Sequence, residues 1–394
     1  MKKIGFVVPW YGVNIPGGAE MALRGVTSHL KEKQVPIEIL TTCVREFSAD
    51  WNENFHKAGE SIENGIVVKR FPARKRNTEA FDKVNAKLMN NKVLSRKEEE
   101  IFFNEMINSP ELYTYIEKHQ EEYHCFVGIP YMFGPVYQMC CICPEKAVLI
   151  PCIHEEPYIY MSKYKEIFPK IKGMIFNADA EKRITERVYD ISRLKTITPG
   201  LGVETDLTFD SERFRKKFDI NDPYILYAGR KDVGKNIYTL IRYFAEYKKR
   251  NNNNLKLVLI GGGNVTIPND IAESVYDLGY VDKQDKYDAY AAAEVLCQPS
   301  KHESFSLVIM ESWLCERPVL VHEECEVTKE FVKKFNGGFY FKNYFEFEEQ
   351  INYLIKNKKQ ASVIGRQGKK AVLENFSWDV VIRKYIRYLE KLFE

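Results

Sequence analysis

Short unbroken apolar runs recur along the first half of the chain, separated by longer segments with helical spacing. The runs are "KIGFVV" (3–8), "IEILTT" (37–42), "IVVKRF" (66–71), "HCFVGI" (124–129), "AVLIPCIH" (147–154) and "GMIFNA" (173–178). Runs of this length with little polar alternation predict strands covered on both faces. The first is followed by the loop "PWYGVNIPGGAE" and an amphipathic helix from about Glu20 to Lys33, and residues 79–122 read as polar and helical. A second series begins near residue 200. Its runs are "YILYAGR", "LKLVLIGGG", "SVYDLGY", "VLCQPS" and "PVLV". Predicted helices fall at "KNIYTLIRYFAEYKKR", at "KYDAYAAAE" and after Ser304. Strands alternating with helices predict an α/β chain of two doubly wound, Rossmann-like parallel sheets. Thr198, Pro199, Gly200 and Gly202 punctuate the restart. The expected division is 1–197, 198–377 and a terminal amphipathic helix, 378–394, crossing back to the first domain. Two such sheets are expected to face each other across a cleft, with ligand at the carboxyl ends of the strands.

Composition narrows the class. The chain has 394 residues, 45% apolar and 29% charged, which suits a soluble two-domain protein. A net charge of +3 demands no nucleic-acid partner. Between Lys69 and Lys97, however, ten cations face only Glu79 and Asp82. That block is either a solvated face or a surface for an anionic membrane or a phosphorylated acceptor. The nine cysteines follow no disulfide-scaffold spacing, so reduced thiols and a cytoplasmic setting are expected, the inner face of the membrane included. The one CxxC, Cys140 with Cys143, has no second pair, so no metal site is expected. Residues 125–143 carry no charge, but Gly128, Pro130, Gly134 and Pro135 predict a strand, a turn and a helix rather than a membrane span.

The chemically unusual residues gather at predicted strand ends. Gly17 and Gly18 lie between the first strand and a helix, where bare N–H groups approach a phosphate; a tight turn is the plain alternative. Gly229, Arg230 and Lys235 follow "YILYA" and precede a helix. Cations at a helix N-terminus oppose the macrodipole, a conflict that a bound diphosphate resolves; solvated loop cations are the alternative. Gly261, Gly262 and Gly263 allow a ligand, or a flexible loop, after "LKLVLI". His154 ends the strand "AVLIPCI", as a structural residue or a functional one. Glu303 follows "VLCQPS", Ser304 suits a helix cap, and Glu311 falls about two turns into an apolar helix. A buried carboxylate needs donors. Ribose hydroxyls would supply them at Glu311, as would an ion pair, for example with Arg317; Glu303 would meet the hydroxyls of an attached sugar.

Over nearly its whole length the sequence resembles the retaining GT-B glycosyltransferases of family 4, the glycosyl transferases group 1. "ESFSLVIME" is similar to the family's Glu–seven residues–Glu motif, and "RPVLV" follows it as in the family. "GRKDVGKN" resembles its Arg–four residues–Lys diphosphate clamp, "PGGAE" its glycine loop and "HEEP" its His-Asp motif. Glu155 stands in place of the usual aspartate, Glu316 in place of a small residue, and the glycine-rich loop after "PVLV" is missing. The resemblance implies a hexosyltransferase that moves a sugar from a nucleoside diphosphate sugar to the hydroxyl of a glycan or lipid-linked acceptor in cell-surface polysaccharide biosynthesis. It implies retained configuration and no metal or other cofactor. Arg230, Lys235, Glu303 and His154 would carry the chemistry. Gly17, Gly18, Gly229, Gly261, Gly262, Ser304, Phe305, Ser306, Leu307 and Glu311 would hold the donor. The rival readings are a non-catalytic GT-B partner subunit and an epimerase acting on a UDP-sugar.

Overall fold

The computed structural model describes residues 2–15 and 17–394; Met1, and Pro16 of the "PGGAE" loop, lie outside the described residues. The chain forms two units, one of the residues up to Gly202 with Val381–Glu394, the other Val203–Val380.

The apolar runs of the first unit become β1 (Lys3–Val7), β2 (Ile37–Thr42), β3 (Gly59–Glu63), β4 (Ile66–Phe71), β5 (Tyr123–Gly128), β6 (Ala147–Leu149), β7 (Gly173–Ile175) and β8 (Lys195–Ile197). They pair in the order β3-β4-β2-β1-β5-β6-β7-β8, all parallel except the β3–β4 pair. The uncharged stretch from 125 to 143 resolves into β5, a turn and a helix at Gly134–Ile142. Within this unit, Tyr388 of the terminal helix donates to the Lys195 carbonyl at 2.8 Å, and the Leu389 carbonyl lies 2.8 Å from His124 Nε2.

Two features here depart from the sequence expectation. Strand β3, "GESIE", is mostly exposed and polar, so no apolar run announces it; its antiparallel partner β4 supplies the ladder. The three-residue β8 is too short to stand out from the linker. The polar segment 79–122 divides into helices at Thr78–Met89, Arg96–Glu105 and Pro110–His119. Asn77, Ser95 and Ser109 cap them by accepting from backbone N–H groups of their first turns.

The second unit has β9 (Tyr224–Ala228), β10 (Lys256–Ile260), β11 (Val275–Gly279), β12 (Val295–Gln298), β13 (Val319–His322) and β14 (Gly338–Phe341). All six are parallel, in the order β11-β10-β9-β12-β13-β14. β14 was hidden because "FNGGFYF" begins with turn residues. Every residue of β9 and β12 is buried, as expected for central strands with helices on both faces. The order reverses between the neighbours β9 and β12. That is the topological switch point, where doubly wound sheets bind ligands beyond the strands' carboxyl ends.

Candidate functional site

Three loops leave β9, β10 and β11 on one edge of the second sheet, and backbone bonds stitch them together. Gly229 N donates to Ile260 O at 3.0 Å, Lys231 N to Gly262 O at 2.7 Å and Gly261 N to Gly279 O at 2.7 Å. Gly261 has φ 117°, and a Cβ there would lie 2.1 Å from the Gly229 carbonyl oxygen, so only glycine allows this approach. The Lys231 side chain is buried and paired with Asp277 of β11, which fixes the loop just beyond Arg230. Arg230 itself reaches outward: its side chain is 67% exposed, with Nε 3.4 Å from Asp232 Oδ2. Asp232 caps the single helical turn Val233–Lys235, accepting from Lys235 N at 2.9 Å. The long helix starts only at Ile237, so Asp232 relieves part of the dipole conflict that the sequence suggested.

Across the switch point, Glu303 meets Lys235. Lys235 Nζ lies 2.7 Å from Glu303 Oε1, which also accepts from Gln298 Nε2 at 3.2 Å. Asn236 Nδ2 donates to Pro299 O at 2.9 Å and ties the two loops a second time. Phe305 is buried against Phe331 and Phe376, with ring centroids 5.3 Å away in each case, and so anchors the loop. The helix after it spans Leu307–Leu314, with Ser306 at its N-cap and no side-chain capping bond. Ser304 is therefore not the cap expected of it. Glu311 is the fifth residue of this helix, in its second turn.

Glu311 has protein donors already. Lys286 Nζ lies 2.5 Å from Oε1 and the Tyr290 hydroxyl 3.0 Å from Oε2. Both come from the helix Lys283–Ala292. Burial, then the neighbouring carboxylate, push the Tyr290 phenol well above its ordinary pKa, so it remains a donor. Arg317 is not the partner; it donates to the Ala291 carbonyl. A carboxylate has about four lone-pair positions, so two bonds leave Glu311 capacity for more.

In the first unit, the helix Gly18–Glu32 begins at Gly17, whose φ is 137°. Its first two turns hold the preceding loop: Glu20 Oε1 accepts from Trp10 Nε1 at 2.8 Å, and Arg24 donates to Ile15 O at 2.7 Å. His154 lies in the loop after β6, its Nδ1 3.4 Å from Glu156 Oε2, while Glu156 Oε1 accepts from the Tyr131 hydroxyl at 2.9 Å. Glu155, at the position resembling the family's aspartate, instead faces Tyr160 and Arg187. Below this loop the fully buried Glu181 accepts from Ile153 N at 2.8 Å and Asn177 N at 2.6 Å, and from the N–H groups of Cys152 and Ala178. Burial pushes its carboxyl up to about 8 against the pull of those donors. Cys152, at φ 59°, takes the sharp bend that turns the loop.

Sequence reasoning missed Lys231, Asp277, Lys286, Tyr290, Glu156 and Glu181. Lys286 and Tyr290 are four residues apart in "KYDAY", a spacing that places both on one helix face. Nothing local points that face at Glu311. Cys140 and Cys143 are buried and free, with burial raising both thiols, Cys143 to about 12. Among the described residues no group of three His, Cys, Asp or Glu is placed to hold a metal ion. No helix of the described residues is long and apolar enough to cross a membrane.

Comparison with known proteins follows the same division. Residues 208–371 match the family described as Glycosyl transferases group 1. Over 208 residues the chain is 26% identical to an uncharacterised glycosyltransferase of Methanocaldococcus jannaschii, covering 49% of this chain and 53% of that protein. The chain spans about half the length of the curated relatives it matches. Among solved structures, sucrose-phosphate synthase from Thermosynechococcus elongatus superposes with TM-score 0.74 at 15% identity, covering 100% of this chain and 99% of that one. Anabaena HepE in complex with UDP-glucose superposes with TM-score 0.69 at 15% identity, covering 99% and 100%. Residues 208–371 thus match the glycosyl transferases group 1 family, in a chain that shares the GT-B fold of these structures.

Proposed function

We propose that the chain transfers a sugar from a nucleoside diphosphate sugar to an acceptor hydroxyl, with retention at the anomeric carbon. The observation that carries this reading is the meeting of Lys235 with Glu303 beside Arg230, at the switch point of β9 and β12. Arg230 and Lys235 neutralise the leaving diphosphate in place of a divalent cation, stabilising charge that grows in the transition state. On donor binding Lys235 turns from Glu303 to phosphate, and Glu303 then accepts from sugar hydroxyls. Glu311, held by Lys286 and Tyr290, accepts from the ribose. Gly229, Gly261 and Gly262 leave room for the nucleotide against the backbone. The likeness to HepE, described with UDP-glucose, supports a nucleoside diphosphate sugar donor. The partly buried ion pairs Lys235–Glu303 and Lys286–Glu311 also favour transfer over a non-catalytic partner role, since such pairs confer little net stability by themselves.

Arg230→Ala and Lys235→Ala should each lower turnover by about two to three orders of magnitude while leaving the melting temperature within a few degrees. Wild-type rates in both variants would remove the clamp. Anomeric coupling constants of the product, read by NMR, test retention.

For the acceptor we propose a lipid-linked or surface glycan reached at an anionic membrane. The basic stretch is partly spent on internal pairs: Lys69 with Glu60, Arg70 with Glu63, Lys87 with Glu98 and Arg96 with Glu166. Its exposed cations include Lys83, Lys92 and Lys97, near Met89 and Val93 in sequence, which are 72% and 85% exposed. Cations around two protruding apolar side chains suit the headgroup region of a bilayer. Flotation with vesicles containing anionic lipid should carry the protein upward, and replacing Met89 and Val93 by serine should reduce this. Equal recovery with neutral vesicles would leave a soluble acceptor.

A further inference from the structure

The first sheet has a switch point of its own. β1 pairs with β2 on one side and with β5 on the other, so the strand order reverses between β1 and β5. Aromatic rings gather beyond the carboxyl ends of these strands. Trp10 follows β1, Phe47 and Trp51 follow β2, and Phe133 follows β5. The Phe47 ring lies against the other three, its centroid 5.8 Å from Trp10, 6.1 Å from Trp51 and 6.4 Å from Phe133. Those three are buried, whereas Phe47 is 58% exposed. Leaving a large ring in water is unfavourable, yet the loop that presents it is firmly built. Asn54 Nδ2 donates to Ala73 O at 3.1 Å, and Asn54 Oδ1 accepts from Ala73 N at 2.7 Å. The Arg76 guanidinium lies 4.7 Å from the centre of the Trp51 ring. Residues 43–58 make a longer connection than most, and long ordered loops at strand ends are where binding residues concentrate.

The chemistry of the patch selects its ligand. Both indole N–H groups are already used, Trp10 donating to Glu20 at 2.8 Å and Trp51 to the Phe47 carbonyl at 3.0 Å. Phe47 therefore offers an apolar face, while Arg45, Ser48 and Asp50 of the same loop are exposed and polar. A flat apolar centre with polar groups about it matches a pyranose ring, whose C–H groups cover one face while its hydroxyls radiate from the edge. We propose that Phe47, held out by Trp10, Trp51 and Phe133, is the platform on which a sugar ring of the acceptor stacks. The proposal rests on the transfer reading above and gives it the class of acceptor, a carbohydrate recognised through a ring face. None of these four rings belongs to the motifs that carry the donor reading.

Saturation-transfer NMR tests it, with the methyl glycosides of galactose, glucose, mannose and N-acetylglucosamine as sugar probes and geranyl monophosphate as the apolar-chain probe. At least one glycoside should bind the wild-type protein and receive saturation most strongly at the C–H groups of one ring face. Phe47→Ala should weaken that binding about fivefold, and Phe47→Trp, which keeps a ring face, should retain it. Calorimetric affinity for UDP, GDP and ADP should be the same in Phe47→Ala as in the wild type, which also shows that the variant is folded. Undiminished glycoside affinity in Phe47→Ala overturns the proposal. So does a wild-type protein that binds none of the glycosides, or one that binds geranyl monophosphate through Phe47 in their place. A protein whose glycoside binding depends on Phe47 but which takes none of the nucleoside diphosphates would leave the platform standing and overturn the transfer reading.

Discussion

Glu181 of the first unit and Glu311 of the second are both carboxylates withdrawn from water, and they are satisfied in opposite ways. Glu181 accepts from the backbone N–H groups of Ile153 and Asn177, one from each of two loops, and among the described residues no cation is shown bonded to it. What it holds is the bend at Cys152 that leads to His154. Glu311 has one lysine and one tyrosine, both from a single neighbouring helix, and half its capacity remains. Its side chain is 12% exposed, enough for a ligand to reach. A carboxylate caged by backbone is a fastener; one oriented by side chains with lone pairs to spare can serve as a receptor. Glu303, with Lys235 and Gln298 on one oxygen, belongs with Glu311.

The sharpest way to break this contrast is by stability. Glu181→Ala strands several buried N–H donors and should cost about 3–5 kcal/mol in denaturant unfolding. Glu311→Ala leaves Lys286 able to turn to solvent but strands the single buried Tyr290 hydroxyl, and should cost about 1–2 kcal/mol. Equal costs would erase the distinction. Affinity should separate the same residues the other way. Glu311→Ala should weaken binding of the preferred nucleoside diphosphate roughly tenfold to a hundredfold, by the loss of hydrogen bonds to a charged group. Glu181→Gln should leave that binding near the wild-type value, and calorimetry decides between them.

Per pH unit, the change expected from Glu181 titration is modest. The ordinary glutamate value is 4.5 and burial takes folded Glu181 to about 8. Between these values the folded protein keeps a proton that the unfolded chain has released. Stability therefore falls as pH rises through that window, and the effect is flat on either side. Glu181→Gln removes the titration, so its stability should gain on the wild type by up to about 1 kcal/mol per pH unit from pH 5 to 8. Parallel curves would mean that the backbone N–H donors keep the carboxylate ionised throughout.

How much could be read beforehand followed the range of each interaction. Two parallel-sheet domains were legible because buried parallel strands must be apolar throughout, as β9 and β12 are. The exposed strand β3 was not, since its ladder comes from β4 and not from its own side chains. Arg230, Lys235, Glu303 and Glu311 stood out as charges beside apolar runs. Their partners did not: "KYDAY" shows that Lys286 and Tyr290 share a helix face, but not that Glu311 lies beneath it. The expectation that Ser304 caps the helix failed because Ser and Phe alternate in "SFS", and burial of Phe305 against Phe331 and Phe376 sets where the helix begins.

Sequence by itself determined the periodicities, hence the strands, the helices and the parallel class of both sheets, because local sterics and burial on both faces leave few other solutions. It also placed the charged residues at strand ends. Only the tertiary structure decided which charge meets which. The pairing of Lys235 with Glu303 and of Lys286 with Glu311 depends on strand order and helix packing across 25 to 68 residues of chain, distances over which local pattern carries no information.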